Sequence, residues 1–317
     1  MCRHLAYLGP PTTLAALLFD PPHGLLHQSY APADMRGGGT VNADGFGVGW
    51  YPPAAALAAA LAAAHAPTPV PGAAPSGEPA TAAHPAAAQP LAAEGAAGRP
   101  ARYRSDRPMW TDTAFAALAP VTTGTAVLAA VRSATTGLPV TAPAAAPFGE
   151  GRWLFSHNGL IRGWPGTVAG LAAELPVTDL LTLDAPTDSA LLWVLVRHRL
   201  RAGDDPAAVL AGVVRAVAAA APGSRLNLLL TDGAAVWATT WTHALSVRVE
   251  LGAVTVASEP SDGSGGWVAV PDRHLVVATP QGCDVRPLDA TAPTTPATGP
   301  PITGPPVTEP AAGVPAA

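Results

Sequence analysis

Two long segments are too poor in large side chains to contribute to a core, and they set what the rest of the chain can build. Residues 54–100 hold 22 Ala and 8 Pro, and residues 290–317 hold 8 Pro, 7 Ala and 6 Thr. Neither contains a Trp, Tyr or Phe. Proline at that density opposes helix, and methyl-sized side chains bury too little to offset the ordering of the backbone. Both are expected to be disordered, the first as an insertion and the second as a tail, around one domain spanning residues 2–289.

Charge then excludes whole classes of function. The net charge is −5, all 17 basic residues are Arg, and no basic run occurs, so the electrostatic footprint of a nucleic-acid binder is missing. The longest apolar run, Ala54 to Ala64, is far shorter than the ~20 residues of a spanning helix. The start of the chain lacks the basic region and apolar core of a signal peptide, so a cytoplasmic protein without a membrane partner is expected. Cys2 and Cys283 are too few for a disulfide framework or a four-cysteine zinc site. His4, His23, His27, His157 and His198 show no i, i+4 pair with a partner carboxylate, so no metal site and no cofactor are expected and the histidines read as mainly structural.

Local patterns give an α+β order of elements. A helix over Thr13–Phe19 is stopped by Asp20-Pro21-Pro22, and a second over Thr111–Leu118 is capped by Thr111. Gly45-Phe46-Gly47-Val48-Gly49-Trp50 alternates as a strand whose backbone is closely approached. It is not a dinucleotide loop, because the spacing differs and Pro52-Pro53 blocks a following helix. Thr125–Val131 is a buried strand. Trp153–Ile161 reads as two short strands turning at Asn158-Gly159. Helices begin at Thr187 or Asp188 and at Asp204 or Asp205, the latter with Pro206 in its first turn. Strands over 226–230 and 236–241 flank the Asp232-Gly233 hairpin, and three more follow at 244–251, 254–258 and 275–279.

Chemistry concentrates at a few positions. Removal of Met1 would leave Cys2 with a thiol and a free α-amine, so nucleophile and base share one residue; the alternative is a small buried cysteine. Arg132, closing an apolar strand, suits a bidentate carboxylate clamp or a structural ion pair. In Ser156-His157-Asn158-Gly159, an amide side chain beside an unhindered backbone N–H matches an oxyanion's needs, or those of a plain turn. Asp188 is a helix cap or a carboxylate for an ammonium.

Taken in order, Cys2, Asn42–Trp50, Val131–Thr135, Ser156–Gly159 and Thr187-Asp188-Ser189 resemble the motifs of class II glutamine amidotransferases, which are N-terminal-nucleophile hydrolases. The segments Met1–Leu5, Arg102–Pro108, Ser258-Glu259-Pro260 and Gly266–Pro271 further resemble members that hydrolyse a γ-glutamyl amide in ergothioneine biosynthesis. The resemblance implies a four-layer αββα sandwich of two mostly antiparallel sheets flanked by helices. It also implies a small-molecule γ-glutamyl substrate, with Cys2 attacking the γ-carbonyl, and Asn158 and Gly159 forming the oxyanion hole. Arg132 would hold the α-carboxylate and Asp188 the α-ammonium, with His157 grouped among the substrate-binding residues. Ala190 departs from the pattern, standing where many relatives carry an acid. A stand-alone glutaminase subunit and an inactive interaction protein are the competing readings.

Overall fold

The computed structural model describes residues 2–34, 41–54 and 98–289. The expectations for the 54–100 insertion and the 290–317 tail fall almost wholly outside these residues. Two sheets face each other. The first is seven-stranded, in the order β11-β9-β10-β1-β4-β2-β3, with β1 Arg3–Thr13, β2 Phe46–Tyr51, β3 Ala101–Ser105, β4 Thr123–Val131, β9 Ser246–Glu250, β10 Ala253–Ala257 and β11 Trp267–Ala269. The second is six-stranded, in the order β13-β12-β8-β7-β6-β5, with β5 Phe148–Glu150, β6 Trp153–Leu160, β7 Arg225–Thr231, β8 Val236–Thr239, β12 His274–Thr279 and β13 Gly282–Pro287. Every pairing in both sheets is antiparallel.

Strand alternation sorts the side chains into layers. On β1, Ala6 and Leu8 join Leu128, Leu154, Leu229 and Val276 between the sheets, while Leu5 and Tyr7 point the other way. That outer face is covered by α1 Leu14–Leu18, α2 Leu25–Tyr30 and α3 Thr113–Leu118, through Leu14, Leu18, Leu25 and Phe115. The outer face of the second sheet is covered by α6 Asp188–Arg201 and α7 Pro206–Ala220, where Trp193 stacks on Phe155 with ring centroids 5.6 Å apart. The layers are thus α, β, β, α, an α+β sandwich. Two short helices, α4 Ala169–Ala173 and α5 Val177–Leu181, precede α6. Among the described residues no helix is long and apolar enough to cross a membrane.

The local signals mostly hold, with three corrections. Thr13 caps α1 and Asp205 caps α7, but α3 begins at Thr113 and is capped by Asp112, which accepts from the Phe115 N–H; Thr111 lies in a preceding 3-10 turn. Asn158-Gly159 is no hairpin: β6 runs straight through, with Asn158 opposite Asn227 and Gly159 opposite Leu226. Glycine is needed there for close approach, since a Cβ would overlap the Arg225 carbonyl oxygen. Thr187, and not Asp188, caps α6, leaving the Asp188 carboxylate for other partners. The alternating glycines of β2 behave as read, and a Cβ on Gly49 would lie 2.6 Å from Leu154 Cδ1.

Candidate active site

Register places Cys2. Arg3 pairs with Val131 across β1 and β4, so the next pair outward sets Cys2 beside Arg132, both on the face turned toward the second sheet. The Cys2 thiol, half-buried, reaches the Ser133 carbonyl at 3.7 Å. Across the gap His4 Nδ1 meets Ser156 Oγ at 3.1 Å, and two residues further along β6 comes Asn158. One end of the inter-sheet space therefore gathers Cys2, just before β1, Arg132, just after β4, and Asn158 of β6.

Each is held by its neighbours. Arg132, 8 % exposed, donates to the Pro139 carbonyl at 2.8 Å, while its own carbonyl accepts the Asp44 N–H at 2.9 Å. Asn158, 1 % exposed, donates to Ser258 Oγ at 3.3 Å; that oxygen also accepts the His4 N–H at 3.0 Å, which fixes the amide against the base of β1. Asp188 accepts the Ile161 N–H at 3.0 Å and the Ser189 N–H at 2.8 Å, tying the start of α6 to the end of β6. Ala190 is buried in the core beneath it.

His157 points away from this end of the gap, into the layer under α6. Its Nε2 lies 3.0 Å from the Arg225 carbonyl and Nδ1 lies 2.9 Å from Ser189 Oγ. A carbonyl only accepts, so Nε2 carries the proton and Nδ1 accepts from Ser189. Burial pushes the His157 pKa down, against the Asp188 charge, so the ring stays neutral. It joins β6, β7 and α6 behind the site.

Four contributors escaped the sequence reading or were quoted without a role. Arg3 and Glu259 form a buried ion pair; Arg3 also donates to the Cys2 carbonyl at 2.9 Å and to the Asp34 carbonyl. Glu259 accepts the Ala33 and Asp34 N–H groups at 2.9 and 3.0 Å. Burial would raise its pKa, but His23, those N–H groups and Arg3 together hold it below the usual carboxylate value. The expectation that no histidine pair finds a carboxylate is corrected here. His23 and His27 meet at 3.0 Å and His23 Nε2 reaches Glu259 Oε2 at 2.6 Å, a partner supplied from the far end of the chain. Asn227, opposite Asn158, accepts from Trp241 N–H at 2.7 Å and donates to the His243 carbonyl at 3.0 Å. Arg225 begins β7. A lone Asn inside the apolar run Leu226–Leu230 was the one signal available for Asn227. Among the described residues no group of acids, histidines and cysteines is placed to hold a metal.

Comparison with known proteins identifies the family and the fold. No family model matches the chain. A γ-glutamyl-hercynylcysteine sulfoxide hydrolase from Mycolicibacterium smegmatis is 39 % identical over 277 residues, covering 87 % of this chain and 95 % of that protein. A protein of the same name from Mycobacterium tuberculosis is 36 % identical over 290 residues, 91 % of this chain and 97 % of its own. The chain belongs to the γ-glutamyl-hercynylcysteine sulfoxide hydrolase family. Members of this family are hydrolases by name, and two solved structures show the same fold at greater distance. One is a glutamine aminotransferase class-II domain protein from Silicibacter pomeroyi, with a TM-score of 0.56 at 20 % identity over 91 % of this chain and 100 % of the other. The other is the glutamine phosphoribosylpyrophosphate amidotransferase of B. subtilis, with a TM-score of 0.58 at 11 % identity, covering 92 % of this chain and 50 % of the other. The hydrolase family therefore uses the sandwich of the class II glutamine amidotransferases.

Proposed function

We propose that this chain cleaves the γ-glutamyl amide of γ-glutamyl-hercynylcysteine sulfoxide, giving glutamate and hercynylcysteine sulfoxide, through a thioester on Cys2. The observation that carries the reading is the 39 % identity to a hydrolase of that name over 95 % of its length. The adjacency of Cys2 and Arg132 at one end of the inter-sheet gap supports it.

In the proposed mechanism the α-amine of Cys2, freed by loss of Met1, accepts the thiol proton, directly or through water. The thiolate adds to the γ-carbonyl carbon, and the developing oxyanion is met by the second N–H of the Asn158 amide and by the Gly159 N–H. Collapse breaks the C–N bond, and the departing amine takes the proton from the α-ammonium of Cys2. Water then adds to the thioester and returns the thiol. Arg132 receives the substrate α-carboxylate, and Asp188 its α-ammonium, using the acceptor capacity that remains beyond its two N–H partners. His157 acts through Arg225 and Ser189 as a positioning residue. Near neutrality an amine of pKa about 7.7 to 8.0 is partly free to serve as base.

The test pairs mass spectrometry with kinetics. The mature N-terminus is expected at Cys2, Cys2→Ala is expected to abolish hydrolysis while the protein stays folded, and the sulfoxide is expected to turn over far faster than glutamine. Normal turnover by a form retaining Met1 would overturn the mechanism. Glutamine hydrolysed equally well would replace the substrate assignment with a glutaminase.

A further inference from the structure

The amide nitrogen of the proposed substrate belongs to a cysteine unit, so the carbon next to the scissile nitrogen carries a carboxylate. The γ-glutamyl half takes Arg132, and a second anion so close to the reacting atoms needs its own cation. The described cations at this end of the gap are few. Arg3 is committed to Glu259, the Cys2 carbonyl and the Asp34 carbonyl.

Arg225 remains. It pairs with Leu160 one step beyond the pair of Gly159 with Leu226, and so shares its face with Asn158 and Asn227, the face turned toward Cys2. Its backbone is fixed by His157, which bonds its carbonyl, and by the tight seat of Gly159 against that same oxygen. Its Nε is buried and has no hydrogen-bond partner among the described residues, an unusual state for a guanidinium with five donors. Arg162 stands beside it, its backbone N–H bonded to Ser224 Oγ at 3.0 Å and its stem along Gly223. Neither arginine meets a carboxylate among the described residues. Burial and then the Arg162 charge hold the Arg225 pKa below its usual value, and the negative form of Cys2 opposes them.

We infer that Arg225, flanked by Arg162, is the specificity-determining residue that receives the carboxylate of the leaving amine. The inference rests on the γ-glutamyl amide reading and deepens it. A planar guanidinium with an unmet donor suits a carboxylate, and the pairing places positive charge against the half of the substrate that glutamine lacks.

Two matched substrates decide it: γ-glutamyl-S-methylcysteine sulfoxide and the same amide without the cysteine carboxylate, γ-glutamyl-2-(methylsulfinyl)ethylamine. Wild-type protein is expected to prefer the first in kcat/KM. Arg225→Met is expected to lose about 10- to 100-fold on the first, mostly in KM, with a change of roughly 2-fold on the second, as for loss of one charged hydrogen bond. Arg162→Met, at an exposed position, should lose less and in the same direction. Equal losses on both substrates would overturn the inference and make Arg225 a positioning residue for Cys2, and so would no loss on either. If Arg225→Met fails to fold, the wild-type ratio decides alone, with no preference for the carboxylated amide overturning it. Failure of the γ-glutamyl reading looks different, since the wild-type protein would then cleave neither compound.

Discussion

Arg132 shows how much one guanidinium is asked to do. It follows the buried run Ala126–Val131 of β4, it is buried, and among the described residues its only side-chain hydrogen bonds are to the Pro139 and Asp44 carbonyls, both through Nη1. Lysine at this position would keep the charge and lose the planar fork. A charge-assisted hydrogen bond is worth about 1.5 to 3 kcal/mol, so Arg132→Lys should lower kcat/KM by roughly 10- to 150-fold on γ-glutamyl amides. The loss should disappear for an amide lacking the α-carboxylate, and steady-state kinetics on the two would show it. His4 carries a prediction of a different kind. It is buried with Nδ1 on Ser156, and burial first, then the charges of His157, His243 and Arg3, push its pKa down to about 3. The unfolded chain binds this proton near pH 6.5 and the folded one only near 3. The unfolded state therefore gains protons first as pH falls, and His4 withdraws stability progressively from 6.5 down toward 3. His4→Gln keeps a polar partner for Ser156 and removes the titration. Denaturant midpoints measured from pH 7 to pH 3 should fall more steeply for the wild type than for this variant; parallel curves would refute the assignment.

At the scale of single elements, β6 marks where local sequence stops being informative. Asn-Gly is the strongest short hairpin signal, and read alone it broke Trp153–Ile161 into two strands. The structure runs one strand through it, because both residues pair across β7 and the glycine is wanted for the nearness of the Arg225 carbonyl. Strand alternation, the helix beginning at Asp204 or Asp205 with Pro206 in its first turn, and the Asp232-Gly233 turn are encoded within a few residues, and they were legible. The Arg3–Glu259 pair and the placing of Arg225 on the same face as Asn158 arise from contacts between distant parts of the chain, and no local pattern carries them. The first strand was missed for a related reason: buried on both faces, Arg3–Thr13 lacks the alternation of polar and apolar residues that announces a strand. Gly159→Ala tests the corrected reading of β6. A methyl group there would collide with the β7 backbone and approach His157 Nε2 at 2.6 Å, so the two strands must part. Loss of at least about 2 kcal/mol of stability and most of the activity is expected, on the scale of other backbone-strain substitutions. Gly170→Ala, where an added Cβ meets nothing within 4 Å, serves as the control and should be neutral in thermal unfolding.

For the molecule as a whole, the question is how a compact four-layer sandwich accommodates an Ala/Pro segment between two of its strands. β2 and β3 are antiparallel neighbours, and their last described pair sets Trp50 opposite Ala101. The chain between them therefore leaves and re-enters the sheet at adjacent points, which is the geometry of a hairpin connection of any length. The β2–β3 edge lies at one end of the sheet order, and Phe46, Val48, Tyr103 and Phe115 share one core among the described residues. Closing a long loop costs entropy that grows with the logarithm of its length, about 0.6 kcal/mol per doubling. Replacing 55–97 with a four-residue Asn/Gly turn removes about three doublings and should stabilise the fold by about 2 kcal/mol, or leave it unchanged if the turn strains the register. Because Cys2, Arg132, Asn158 and Asp188 are positioned by β1, β4, β6 and α6, turnover should stay within about 2-fold. Thermal unfolding and kcat/KM of the shortened chain, alone and combined with removal of 290–317, provide the check. A marked fall in melting temperature would mean that the segment packs on the domain, and a selective fall in kcat/KM with stability intact would place it over the substrate.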